Sequence, residues 1–117
     1  MPTTFTKILL SGSTAGEPID IASTSVETTI HTAANASSTL DEIWLWAANT
    51  TTANQMLRIQ YGSTAVAKRS QQTIPAQGGW ILVAPGVIMS SGVCNALSTA
   101  TASDVHIMGY VNRILQT

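Results

Sequence analysis

The sequence predicts an all-β domain, an antiparallel β-sandwich or jelly-roll-like barrel of about eight strands. Three observations predict it. β-Branched and aromatic residues recur in short runs. Clusters of Gly, Pro, Asn and Ser interrupt those runs about every dozen residues. No helical crossover separates one run from the next. The chain has 117 residues, which fits a single domain spanning 1–117.

The elements follow in order. Residues 1–4 are polar and read as a mobile N-terminal arm, and Phe5 to Leu10 is the first strand. Ser11 to Pro18 is a loop, and Ile19 to Ile21 a brief extended piece. Val26 to Thr32 alternates, with Val26, Thr28, Ile30 and Thr32 facing one way and Glu27, Thr29 and His31 the other. Leu40 to Asn49 is the strongest segment: Ile43, Leu45 and Ala47 share one face, Trp44, Trp46 and Ala48 the other. Both faces are apolar, so the strand is central or its tryptophan face is covered by a partner. A helix here is disfavoured by Ile43, Trp44, Trp46 and the Thr run that follows.

Asn54 to Tyr61 reads as the return strand of a hairpin. Lys68 to Ile74 is a polar, edge-like strand stopped by Pro75, which has no N–H to give a ladder. Gln77-Gly78-Gly79 is a tight turn before a short strand, Trp80 to Val83, closed by Ala84-Pro85-Gly86. Val87 to Met89 and Val93 to Leu97 flank Ser90-Ser91-Gly92, a turn or bulge. Ala100 to Ser103 is a loop. In the last strand, Asp104 to Ile114, Val105, Ile107 and Val111 alternate against His106, Met108 and Tyr110.

Composition narrows the function. Charged residues make up 9% of the chain, against roughly 25% in ordinary soluble domains. So few surface charges leave copies little to repel one another with, and point to a surface covered by partners. The net charge is −1 and the one basic pair is Lys68-Arg69, so direct nucleic-acid binding is not expected. No apolar run approaches the ~20 residues of a membrane helix, and no membrane role is expected. The opening Met1-Pro2-Thr3-Thr4-Phe5 lacks the form of a signal peptide, so the sequons at Asn35 and Asn49 carry no weight and the expected site of synthesis is a cytoplasm.

Candidate chemistry is sparse, and no enzyme is expected. The single cysteine, Cys94, lies in an apolar stretch and reads as a small buried hydrophobe. His31 and His106 read as polar residues on outward strand faces, and no Gly-x-Ser-x-Gly elbow accompanies them. Glu27, His31, Asp104, His106 and Cys94 are ligand types, but their spacing is no metal signature, so neither metal nor other cofactor is expected. Asp41 and Glu42 point to opposite faces of a strand and make no acid–base pair. The tryptophans are the sharpest feature. The first expectation is that they fill the core; the alternatives make Trp44, Trp46 and Trp80 interface anchors or glycan contacts.

Several segments together resemble a known family. They are Thr-Ile-His-Thr (29–32), Leu-Asp-Glu-Ile-Trp-Leu-Trp-Ala-Ala-Asn-Thr (40–50), Arg-Ile-Gln-Tyr-Gly (58–62), Gln-Thr-Ile-Pro-Ala-Gln-Gly-Gly (72–79), Leu-Val-Ala-Pro-Gly (82–86) and Gly-Tyr-Val-Asn-Arg-Ile (109–114). In this wording the chain is similar to the small β-sandwich structural proteins of tailed bacteriophages, including phages of cyanobacteria and marine bacteria. The resemblance implies a capsid cement or decoration subunit, a homo-oligomer with a trimer favoured. It implies binding to the major capsid protein on the virion surface after synthesis in the host bacterial cytoplasm. A tail or baseplate component with a glycan-binding role is the alternative. The motifs are strand-and-turn wording, so the resemblance carries no functional residues with it.

Overall fold

The structure is a computed structural model that describes residues 3–21, 28–34, 36–62, 69–98 and 105–116. The described residues form nine strands and no helix: β1 (Thr3–Leu9), β2 (Ile19–Asp20), β3 (Thr28–Thr32), β4 (Thr39–Asn49), β5 (Gln55–Tyr61), β6 (Arg69–Ile74), β7 (Ile81–Met89), β8 (Val93–Ser98) and β9 (Val105–Gln116). They make two antiparallel sheets packed as a sandwich, as the sequence predicts. Sheet A runs β1-β9-β4-β7, with β2 also paired to β9; sheet B runs β3-β8-β5-β6. Val26, Glu27, Lys68, the 100–103 loop and Asp104, all placed by the sequence reading, lie outside the described residues.

The core is the sum of the inward positions of both sheets. β4 supplies Ile43, Leu45 and Ala47, and β9 supplies Val105, Ile107 and Val111. Facing them from sheet B are Ile30, Leu57, Ile59, Ile74, Cys94 and Ala96. The strict buried/half-buried alternation of β4 is what a period of two requires of a strand with one face in the core. Lying between β9 and β7, β4 is the centre of its sheet.

Several local expectations are corrected. Thr3 and Thr4, assigned to an arm, pair with Gln116 and Leu115 in the β1–β9 ladder. β4 and β5 are not a hairpin, because β4 belongs to sheet A and β5 to sheet B. The Asn49 amide turns the chain between them. Its Nδ2 donates to the carbonyls of Ala53 (2.8 Å) and Ile74 (3.0 Å), and its Oδ1 accepts from Thr51 N (2.9 Å) and Thr51 Oγ1 (2.7 Å). Every donor and acceptor of a buried amide is thereby used, which offsets the cost of burying it.

β7 is one strand rather than two. Pro85 and Gly86 fit within it because β7 is an edge strand and the β4–β7 ladder shifts register at Ile43/Trp44 and at Leu45/Trp46. Only β5 and β6 are sequence neighbours paired in one sheet, so Ser90-Ser91-Gly92 carries the chain from one sheet to the other. β6 is an edge, as its polar sequence predicts.

Candidate binding face

The inward face of β4 is committed to the core, and its outward face is where the tryptophans lie. This overturns the expectation that Trp44 and Trp46 fill the core: aliphatic side chains occupy those places, and both indoles are half-buried on the outside of sheet A. The antiparallel register puts Trp44 opposite Tyr110 and Trp46 opposite Met108 on β9. The Trp44 and Tyr110 ring centroids are 6.4 Å apart with planes 15° from parallel. Trp46 and Tyr110 are 6.1 Å apart and tilted by 30°. Both separations fall where aromatic pairs attract beyond their buried area.

Neighbours hold the cluster. Trp44 Nε1 donates to Glu42 Oε1 at 2.6 Å, two residues along the same face. Lys7 Nζ lies 5.2 Å from the centre of the Tyr110 ring, a cation–π contact from β1. Gly109 is required beside it: a Cβ there would collide with the Trp44 carbonyl oxygen, so only glycine lets β9 approach β4 this closely. Gly86 (φ +80°) lies against the Trp44 ring from β7, where a side chain would be both strained and crowded.

Around the aromatic cluster the same face carries exposed apolar side chains, with Lys7, Asn112 and Glu42 forming a polar row among them. Phe5 is 63% exposed, and Leu9 and Ile88 are each 55% exposed. Leu82 and Trp80 are also exposed. Trp80 lies just before β7, between two shallow depressions. One, of about 350 Å³, is lined by Trp46, Trp80, Met108, Gly109 and Tyr110. The other, of about 540 Å³, is lined by Glu17, Pro18, Asp20, Trp80 and His106. Of the tryptophans singled out from the sequence, Trp46 and Trp80 share a depression, and Trp44 joins them through Tyr110. The outward positions of sheet B are mixed: Arg58, Gln60, Gln71, Thr73 and Asn95 share that side with Met56, Val93 and Leu97, and Gln60 and Leu97 are buried.

The histidines divide. His106 is on the outward face, as expected, where its Nδ1 meets Asp20 Oδ1 at 2.6 Å across the β2–β9 ladder. His31 is corrected: it is buried. A register shift between Thr29 and His31 sends both Ile30 and His31 inward. His31 Nδ1 accepts from Ser11 N at 3.1 Å, so Nε2 carries the proton that it shares with Asp41 Oδ2 at 2.8 Å. Arg113 completes the cluster with Nε on Asp41 Oδ1 (2.8 Å) and Nη2 on Oδ2 (2.9 Å). Burial pushes the Asp41 carboxyl up, but the hydrogen bonds from Arg113 and His31 and the guanidinium charge outweigh it. The carboxyl is left below its ordinary range.

This cluster ties β3 of sheet B to β4 and β9 of sheet A, and its geometry is structural. Ser11 contributes its backbone N–H to His31, while its Oγ accepts from Thr32 N at 2.7 Å, so the two ring nitrogens of His31 are taken by Ser11 N and Asp41. Cys94 is buried, and burial pushes its thiol up to about 12, the opposite of an activated nucleophile. Among the described residues no group of three or more His, Cys, Asp or Glu side chains could hold a metal ion. Asp41 and Glu42 do point to opposite faces, one into the ion cluster and one onto Trp44.

Sequence reasoning found the tryptophans but missed Tyr110 and Lys7 as their partners, and missed Arg113 and Asp41 as the partners of His31. The one available signal was the alternation of His106, Met108 and Tyr110, which marks them as one face without saying what that face meets. No protein-family model matches the chain, and no curated protein matches its sequence.

Proposed function

We propose that this chain is a non-catalytic virion structural protein of a tailed bacteriophage. It acts as a capsid cement or decoration subunit that associates with itself, a trimer being favoured, and docks on the assembled major capsid protein. The observation that carries the reading is the outer face of sheet A. It presents Phe5, Leu9 and Ile88 to solvent around a stacked aromatic cluster, although the sandwich core is complete without it. Exposed large apolar side chains gathered on one face of a small domain mark an interaction surface. With charged residues at 9% of the chain, little on the surface opposes association. The resemblance of its strand-and-turn wording to phage sandwich proteins supports the kind of assembly proposed.

A clamp that binds only the assembled lattice stabilises that lattice by mass action and leaves its assembly route unchanged. Repetition over a shell multiplies weak contacts. The test is to make particles without this chain. They are expected to form at normal size and to fail earlier on heating, with the protein found on capsid lattice joints by electron microscopy when it is present. Whole particles of unchanged heat resistance that fail to attach to host cells would overturn the cement reading in favour of a tail component.

A further inference from the structure

We propose that the groove on either side of Trp80, at the His106 end of the outer face of sheet A, is a binding site for a neutral saccharide chain; it shares Trp46 and Tyr110 with the face proposed above for docking but does not rest on that reading. The two depressions that meet at Trp80 differ in chemistry. On one side Trp46, Met108 and Tyr110 form an apolar, aromatic floor. On the other, Glu17, Asp20 and His106 present carboxylates and an imidazole. A hexose ring has the same two-sidedness: apolar C–H faces that pack on flat rings, and a rim of hydroxyls that needs fixed acceptors and donors. Trp80 is 46% exposed, so its ring is open to such a face.

The polar half is held in place before any ligand arrives. Asp20 and His106 are register partners in the β2–β9 ladder, and their side chains meet at 2.6 Å. Each depression, at about 350 and 540 Å³, falls in the range of small-molecule sites. Both are open to solvent rather than enclosed, which leaves a chain free to run past Trp80.

Two other occupants fit less well. A protein docked here would bury the Asp20–His106 pair and pay to desolvate it, whereas hydroxyls replace its water with equivalent bonds. A quaternary ammonium needs rings around it, but here the rings form a floor, and Lys7 already lies over Tyr110. Phe5 pairs with Ile114 at the opposite end of β9 from His106, so the groove and the most exposed hydrophobe are at different ends of the sheet.

The experiment is calorimetric titration of the full chain with cellohexaose, maltohexaose, chitohexaose and isomaltohexaose, with tryptophan fluorescence as a second readout and choline chloride in parallel. At least one oligosaccharide is expected to bind with a change in fluorescence. Trp80→Ala is expected to weaken that binding about tenfold or more, while Trp80→Phe keeps most of it. His106→Ala is expected to weaken it as well, which guards against a Trp80 variant that folds poorly. Thr73→Ala, on β6 of the other sheet, is expected to leave it unchanged. No binding by any of the oligosaccharides at about 10 mM, binding of choline alone, or saccharide binding indifferent to both Trp80→Ala and His106→Ala would overturn the proposal.

Discussion

The two faces of sheet A are made of the same strands and are nearly equally apolar, yet they differ in what they hold together. On the inner face Ile43, Leu45 and Ala47 of β4 are fully buried against sheet B. On the outer face Trp44 and Trp46 are larger yet only half-buried, and among the described residues they pack against members of the same face such as Tyr110, Glu42 and Gly86. Hydrophobicity alone therefore does not tell a core from a contact surface; the presence of a second layer does. Sheet B differs in degree, since its outer side mixes Arg58, Gln71, Thr73 and Asn95 with Met56, Val93 and a buried Leu97.

The largest effect expected is at Leu45. It is fully buried in the middle of the central strand, so Leu45→Ala removes packed methyl groups and leaves a void that the two sheets cannot close freely. The expected loss is about 2–5 kcal/mol, read from denaturant or thermal unfolding. A loss below about 0.5 kcal/mol, the size of a surface change, would mean that the inner face is not the core and would erase the distinction between the faces.

The inner face also carries charge, and it predicts a pH dependence. The Asp41 carboxyl is held below its ordinary value in the folded chain. A depressed carboxyl stabilises the fold fully above its unfolded pKa of about 3.9, and that contribution is lost as pH falls through the lower folded value. Stability should therefore hold from neutral pH down to about pH 5 and drop below about pH 4. Asp41→Asn should cost about 3 kcal/mol at pH 7, because it leaves Arg113 and His31 facing an amide that cannot accept from all of their N–H groups. The gap between variant and natural chain should narrow as pH is lowered, since acid neutralises Asp41 in the natural chain too. A gap that stayed constant from pH 7 to pH 3 would show that the Asp41 charge contributes nothing.

Strand content was legible because the period-two alternation of β4 and β9 is local, and so was the polar edge strand β6. Partnership was not. Which strand meets β4 depends on register between residues some 60 positions apart, as in Leu45 with Gly109, and no local signal encodes that. The same limit hid the binding face. Both faces of β4 looked apolar, and the choice between them is made by sheet B, which reaches β4 only through tertiary packing. His31 was misread for a smaller reason. A bulge shifts the parity of a strand, so strict alternation placed His31 outside when one added residue had turned it in. The β4–β5 connection was read as a hairpin because a polar turn between two apolar runs is the same signal whether the chain returns to its own sheet or crosses to the other. Here the buried Asn49 amide decides for crossing.

The smallest effect on stability is expected where the outer face is most exposed. Phe5 and Ile88 face outward from β1 and β7, on opposite sides of the β9–β4 pair, and are 63% and 55% exposed. Phe5→Ser and Ile88→Ser remove apolar area that is wet already in the isolated chain, so each should change unfolding free energy by no more than about 0.5 kcal/mol. Association should respond differently. If the outer face is what copies bury against one another, the natural chain should sediment above its 12.3 kDa monomer mass at micromolar concentration. The double variant should then move toward that mass without losing its fold. Each result separates the faces in its own way. A large loss of stability would mean that Phe5 or Ile88 is part of the fold and that the outer face does structural work within one chain. An unchanged oligomer would move the self-contact elsewhere, with the edges β6 and β7 as the next surfaces to test, because an edge strand carries unpaired backbone groups that a second copy can complete.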